Sequence, residues 1–185
     1  MGKALLVLLI LLSQNVFGQR FTDTIQWRPD YKLKWRDFKG HRSIGMSGRA
    51  AMSATHRTID YSYLNDTALS ATVKTIFLKQ DSWVSSELTD STYVLNHEQG
   101  HFNIAEIHSR KLKKELKIFE NENYQKNYTI IKSKMSQLIL DATNNERYMQ
   151  DLYDMETEHS QNREKQKEWD EKIQKMIASE NTIKQ

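Results

Sequence analysis

The segment Leu95–Phe102 contains the residues best suited to chemistry in this 185-residue chain. It reads LNHEQGHF, in which His97, Glu98 and His101 form an HExxH pattern. On a helix, residues four apart lie on the same face, one turn apart. Two imidazoles at this spacing can bind one Zn²⁺, and the adjacent glutamate can act as a general base on a zinc-bound water. The pattern is typical of zinc peptidases.

Both histidines need a helix that turns them towards the protein interior. Asp90 or Ser91 is a suitable N-cap, and the helical pattern extends from about residue 92 to about residue 118. At about 100° per residue, the two histidines share one stripe with mainly apolar residues, namely Tyr93, Val94, Ile104, Ala105 and Leu112. We therefore expect His97 and His101 to lie on the buried face of this helix.

HExxH supplies two of the three protein ligands that a catalytic zinc normally has. The longer pattern HExxHxxGxxH is excluded, because Ile104 and Ile107 occupy the positions of its glycine and its third histidine. His108 follows His101 by seven residues, which is about 10 Å along the axis and too far to share one ion with both histidines. We expect His108 to line a pocket or to lie on the surface.

A second predicted helix offers other candidates for the third ligand. Its apolar stripe is centred on Met149, which places Glu156 about 20° and His159 about 80° from the centre. Asp154 and Glu158 are predicted to point to solvent. Glu156 and His159 are therefore the candidate metal ligands. A buried salt bridge for Glu156 and a helix-terminal histidine for His159 are the alternative interpretations.

The rest of the pattern predicts an α+β fold. Residues 49–63 and 68–78 alternate in polarity around a turn, which indicates an antiparallel hairpin. The second helix begins near Tyr128, and residues 161–185 form a mostly charged helix with a sparse apolar stripe. We expect a small antiparallel sheet or hairpin, then a zincin-like active-site helix and long C-terminal helices, in one metallopeptidase domain of residues 19–185.

Residues 1–18 have the pattern of a secretory signal peptide. Lys3 precedes the nine-residue apolar run Ala4–Leu12, and Gly18 suits cleavage before Gln19. The run is shorter than the roughly 20 residues that span a bilayer. We expect an exported bacterial protein, periplasmic or secreted, with no stable membrane span after cleavage. An uncleaved N-terminal anchor is the alternative.

Composition narrows the chemistry further. The chain has no cysteine, which excludes disulfides, cysteine-based zinc sites and thiol catalysis. Any metal must therefore be held by histidine, aspartate or glutamate. The 27 basic and 24 acidic residues are mixed along the chain and give a net charge of +3. Without a basic block, we expect no nucleic-acid partner.

Three segments carry a resemblance to a known family: Leu33–Gly40, Asn96–Glu106 and Tyr153–His159, which read LKWRDFKG, NHEQGHFNIAE and YDMETEH. With these segments the chain resembles the bacterial domain-of-unknown-function family 922, described as predicted secreted zinc-dependent peptidases. The segments occur in the same order and together span most of the chain after the signal sequence, from residue 33 to residue 159.

The resemblance implies zinc binding by His97 and His101, with Glu98 as the catalytic acid/base. It also implies a third ligand in the segment that ends at His159, and His159 is the residue that we predict there. Ser160 follows, where related members often have glycine.

These features predict an extracytoplasmic zinc metallopeptidase that acts on peptides or proteins. Glu98 would pass the proton of the attacking water to the leaving amine, and an edge of the hairpin would align an extended substrate. Tyr153 and His56 are candidate donors to the oxyanion, and Glu156 would orient a ligand if it does not bind the metal. The alternatives are a non-catalytic zinc-binding or scaffold protein, which a closed four-ligand site would favour, and metal capture without hydrolysis.

Overall fold

The computed structural model describes residues 23–42, 50–65, 68–121 and 128–180. The predicted signal peptide lies outside these residues. The described ranges form the predicted α+β arrangement, with short antiparallel sheets followed by three helices. None of these helices combines the length and the apolar character needed to cross a membrane.

A three-stranded antiparallel sheet is built around the predicted hairpin. Strands β3 (Thr55–Asn65) and β4 (Ala68–Leu78) pair along their length, and β1 (Thr24–Gln26) pairs with the other side of β4. The strand order is β1-β4-β3, so β3 is an edge strand within the described ranges. The short strands β2 (Ala51–Met52) and β5 (Trp83–Val84) form a separate antiparallel pair.

The predicted helices are present, and the first is α1 (Thr92–Asn121). The Ser91 hydroxyl accepts a hydrogen bond from the Val94 amide at 3.2 Å, which confirms one of the two expected N-caps. The other helices are α2 (Tyr128–Glu156) and α3 (Arg163–Glu180). Helix α1 packs against β3, β4, α2 and α3, and is therefore the central element of the fold.

Helix α1 contributes to three apolar clusters along its length. Phe102 packs with Leu33, Phe38 and Phe77 from the sheet side. The second cluster, which we call the proximal core, joins the three helices through Ile104, Ile107, Tyr153, Trp169 and Ile173. The third, the distal core, joins α1 and α2 through Leu112, Leu116, Phe119, Ile131, Met135 and Ala142, and Ile59, Ala71 and Val73 of the hairpin pack against it. The HExxH segment lies at the proximal end.

Candidate metal centre

Three side chains from two helices bring their ligand atoms together at the proximal end of α1. The two Nε2 atoms of His97 and His101 lie 3.2 Å apart. Asp154 Oδ1 lies 3.2 Å from Nε2 of His97 and 3.0 Å from Nε2 of His101. These three side chains, which we call the metal-binding group, could bind a metal ion. The two histidines come from one turn of α1, and Asp154 comes from the last turn of α2.

The size of this triangle suits a tetrahedral ion. With Zn–N and Zn–O distances of about 2.0–2.1 Å, neighbouring ligand atoms in a tetrahedron are separated by about 3.3 Å. The three observed separations, 3.0 to 3.2 Å, are close to that value. Nitrogen and carboxylate donors without sulfur are an established donor set for catalytic zinc.

Two glutamines orient the histidine rings. Gln166 Oε1 lies 2.9 Å from Nδ1 of His97, and Gln150 Oε1 lies 2.6 Å from Nδ1 of His101. Since an amide oxygen only accepts, each Nδ1 is assigned the proton and each Nε2 keeps its lone pair. With neutral imidazoles, two lone pairs and a carboxylate oxygen then face one point, which is unfavourable unless a proton or a metal cation lies there. These contacts are the outer hydrogen bonds expected of metal-binding histidines.

The charges within the group are strongly coupled. Burial favours the neutral form of Asp154, but its contacts with His101 and His97 outweigh burial and hold the pKa of this carboxyl well below its usual range. Burial also lowers the pKa of His101, while Asp154 and Glu98 raise it, with a net increase. Asp154 is therefore ionised at neutral pH and ready to bind a cation.

Glu98 lies in the same cleft with one carboxylate oxygen unsatisfied. The residue is only 3% exposed, and its Oε2 atom has no hydrogen-bond partner within the described ranges. A buried carboxylate oxygen without a partner is costly. A water molecule held beside the metal would satisfy it. The residues present therefore fit a metal site with a water molecule beside it.

Gly100, inside the HExxH segment, allows Tyr153 to approach the helix closely. A Cβ atom at this position would lie 2.3 Å from the Tyr153 hydroxyl oxygen and 2.7 Å from the ring carbon that bears it. The ring stacks on His97, with centroids 4.6 Å apart and planes at 16°. The glycine therefore allows a buried tyrosine to support the first histidine.

The predicted role of Tyr153 as an oxyanion donor does not fit this position. Its side chain is fully buried, and its hydroxyl donates to the His97 backbone oxygen at 3.1 Å. It also accepts from Gln166 Nε2 at 2.6 Å. Burial raises the pKa of this hydroxyl, so it stays protonated. Tyr153 holds the HExxH turn in place from behind.

The predicted orientations of Asp154 and Glu156 are wrong. Asp154 was expected to face solvent but belongs to the metal-binding group, whereas Glu156 is exposed and its carboxylate accepts a hydrogen bond from the Trp169 indole at 2.7 Å. The prediction placed the ligand near the centre of the apolar stripe of α2. In α2 that centre packs on the proximal core, and the metal site lies on its polar border.

A sequence signal for Asp154 was present in the spacing. Glu146, Gln150 and Asp154 recur every four residues and form one row on the cleft side of α2. Such a row is usually interpreted as a solvated face. Here its members contact Arg57, His101 and the metal-binding group.

His159 lies next to the metal-binding group, after the end of α2. Its Nδ1 atom is 3.3 Å from Asp154 Oδ2, and its side chain is 48% exposed. The residues Glu158, His159 and Ser160 have φ values of 51°, 50° and 72°, which are left-handed and strained for residues with a side chain. This turn brings His159 back beside Asp154. Its role as a ligand stays a prediction.

The two remaining candidate histidines, His56 and His108, lie in different places. His56 on β3 is exposed and lines the cleft. His108 is buried at 4% exposure and lines a separate cavity of about 250 Å³ between α1 and α2. Its seven-residue separation from His101 keeps it out of the metal-binding group, as expected.

The metal-binding group opens into a cleft of about 650 Å³. One wall is the strand segment from Ala50 to Ile59, and the other is the face of α2 from Ile139 to Asp154. His97, Glu98 and His101 contribute from α1. The Ser53 hydroxyl donates to the Glu98 backbone oxygen at 3.2 Å, which fixes the strand segment against the HExxH turn.

Comparisons of this chain with protein-family models, with curated proteins and with solved structures gave no match. The resemblance carried by the three sequence segments therefore stays a prediction.

Proposed function

We propose that this protein is an extracytoplasmic zinc-dependent metallopeptidase that hydrolyses peptide bonds. The observation that carries the proposal is one cleft that holds both a group able to bind a metal and a buried carboxylate oxygen that has no hydrogen-bond partner among the described residues. His97, His101 and Asp154 have the separations of a tetrahedral site, and the oxygen is Oε2 of Glu98, which lines the same cleft. Export rests on the signal pattern of residues 1–18.

His97, His101 and Asp154 would hold the zinc, with His159 placed to bind or to orient Asp154. Zinc would supply a Lewis acid that polarises the scissile carbonyl and lowers the pKa of water. Glu98 accepts the proton of the attacking water and gives it to the leaving amine. Gln166, Gln150 and Tyr153 keep the two imidazoles in position throughout.

A polypeptide is the substrate class that suits the cleft. The wall formed by β3 is an edge strand within the described ranges, and edge strands bind extended peptides through main-chain hydrogen bonds. The cleft volume of about 650 Å³ exceeds the needs of a single amino-acid side chain.

Non-catalytic zinc binding is the second candidate, and one observation favours it. His159 lies 3.3 Å from Asp154, so coordination by His159 would give four protein ligands. A closed four-ligand site leaves no position for water and is typical of structural zinc. The coordination state of His159 therefore separates the two candidates.

The decisive experiment replaces Glu98 by glutamine. The variant should bind zinc like the natural protein but lose hydrolysis of a peptide library by at least about 1,000-fold, since the general base is lost. Glu115→Gln is the matched control, because Glu115 is exposed on the same helix. Zinc is measured by elemental analysis and hydrolysis by mass spectrometry of the library.

Two outcomes would contradict the proposal. Hydrolysis that survives Glu98→Gln would remove Glu98 from the mechanism. Stoichiometric zinc without hydrolysis in the natural protein, together with loss of zinc in His159→Ala, would favour the non-catalytic candidate.

A further inference from the structure

One arm of the cleft extends away from the metal-binding group between α2 and β3. From Asp154 it follows α2 back to Ile139, fifteen residues or about 22 Å of helix. On the other wall it follows the chain from Ala54, just before β3, to Ile59, about 17 Å of extended backbone. An extended peptide rises about 3.3 Å per residue, so this arm has room for about five residues.

Contacts between the walls fix the direction of β3 along this arm. Ser53 bonds to Glu98 at the metal end, and Arg57 Nε donates to Ser109 Oγ at 3.1 Å farther along α1. Arg57 also pairs with Glu146 across the arm. The strand therefore begins beside the metal-binding group and runs away from it.

The backbone of β3 offers pairing groups to this arm at every second residue. The Leu78 amide donates to the Ala54 oxygen at 2.8 Å, and Thr55 lies opposite Phe77. Hydrogen-bonded pairs alternate along an antiparallel ladder, so His56 and Thr58 bond to β4. The N–H and C=O groups of Thr55, Arg57 and Ile59 then point away from β4, and all three residues line the cleft.

The chemistry of the arm changes with distance from the metal. In its middle, the positive charge of Arg57 is paired with Glu146, and its Nε donates to Ser109 Oγ. Arg57 therefore does not select a charged side chain of the substrate. At its far end, Ile59 and Ile139 are partly buried, line the cleft and pack against the distal core. This end offers an apolar surface.

We infer that the substrate is an extended polypeptide whose residues on the N-terminal side of the scissile bond add as an antiparallel strand to β3. About five residues fit, and the farthest one presents an apolar side chain to Ile59 and Ile139. The direction follows because antiparallel pairing is the more stable arrangement and β3 runs away from the metal. This inference rests on the proposed function for the position of the scissile bond.

Binding to the zinc-loaded Glu98→Gln protein tests the inference without hydrolysis. The probes are fluorescent peptides that share one central sequence and are extended by one to six residues on either side. Affinity should rise by about tenfold in total as the N-terminal side grows to five residues, and then level off. N-methylation of the backbone should weaken binding at every second residue of that side.

A pair of neighbouring variants tests the apolar end. Ile139→Gln should weaken binding of the longest peptide about fivefold and leave a peptide with two N-terminal residues unchanged. Leu140→Gln should change neither, because Leu140 is 51% exposed and does not line the cleft. Circular dichroism confirms that both variants are folded, and the length series on the parent protein does not depend on either of them.

The outcomes separate this inference from the proposed function. Affinity that grows with the C-terminal side instead, or that shows no two-residue period on methylation, would overturn the inference. If the length and methylation results appear but the natural protein cleaves none of the peptides, the cleft stands as a peptide site and the peptidase proposal fails. If the natural protein cleaves the peptides but affinity does not depend on their length, the peptidase proposal stands and the inference fails.

Discussion

The two ends of helix α1 are built on different principles. At the proximal end, polar side chains are buried and bonded to one another, among them His97, Gln99, Asn103 and Gln166. At the distal end, Leu112, Leu116 and Phe119 pack on apolar partners from α2 and the hairpin. Apolar contacts stabilise the fold without fixing a unique hydrogen-bond pattern, whereas the proximal network fixes the positions of individual atoms.

This difference indicates how stability and chemistry are divided. The distal core anchors α1, α2 and the hairpin, and the proximal end uses that anchored helix to place a metal-binding group. Substitutions at one end should therefore change a different measured quantity from those at the other. The following experiments test that separation.

The largest effect is expected at the proximal end, from Asp154→Asn. Loss of the ligand carboxylate should weaken zinc binding by more than about 100-fold, since even outer-shell changes cost 10- to 100-fold. Competition with a chromophoric chelator measures the affinity. Asp151→Asn is the control, because Asp151 is exposed and lies one turn earlier on α2. Equal affinities in the two variants would exclude Asp154 as a ligand.

At the distal end, Leu116→Ala should mainly affect stability. Leu116 is 1% exposed, and truncation of a buried leucine costs about 2–5 kcal/mol of unfolding free energy. Zinc affinity of the folded variant should be unchanged. Urea titration measures stability, with Ile118→Ala as the control at a residue that is 60% exposed and should change by less than about 0.5 kcal/mol. A parallel loss of zinc affinity would show that the two ends are not separate.

The smallest expected effect is a pH dependence at the distal end. Burial, with Lys111 and Arg57 nearby, lowers the pKa of His108 to about 4. The unfolded chain has the ordinary value near 6.5, so it takes up the proton first as the pH falls. The contribution of neutral His108 to the free energy of unfolding should be fully present above pH 6.5 and should decrease between pH 6.5 and 4. The loss by pH 5 should be about 1–2 kcal/mol.

His108→Asn isolates this contribution. The free energy of unfolding of both proteins is measured by urea titration without metal at pH 7.5 and pH 5. The other histidines contribute equally to the two proteins, so they cancel in the comparison. The natural protein should lose more stability than the variant over this interval. An equal loss in both would show that His108 does not titrate in this way.

The sequence was sufficient for the hairpin and the helices because each of these elements carries its own local pattern. The hairpin alternates around a turn, and α1 has both a cap and a buried stripe. The burial of His97 was predictable for the same reason, since it shares that stripe with Ile104.

The third member of the group that could bind a metal was not predictable from periodicity. Asp154 lies on a polar row that bounds the apolar stripe of α2, and only the packing of α2 on α1 turns that row inward. His159 lies within a left-handed turn, where a rotation of 100° per residue no longer applies. Tyr153 was expected to act on the substrate, but its contact with Gly100 depends on the distance between two helices, which a single sequence does not give.

The contact between Gly100 and Tyr153 has a consequence for evolution. A methyl group at position 100 would overlap the tyrosine hydroxyl, so position 100 cannot gain a side chain while Tyr153 is kept. Chains that diverged from this one under selection for the same site should exchange the two positions together, with a smaller partner for Tyr153 wherever position 100 gains a side chain. The pair should therefore appear as a covarying couplet separated by 53 residues.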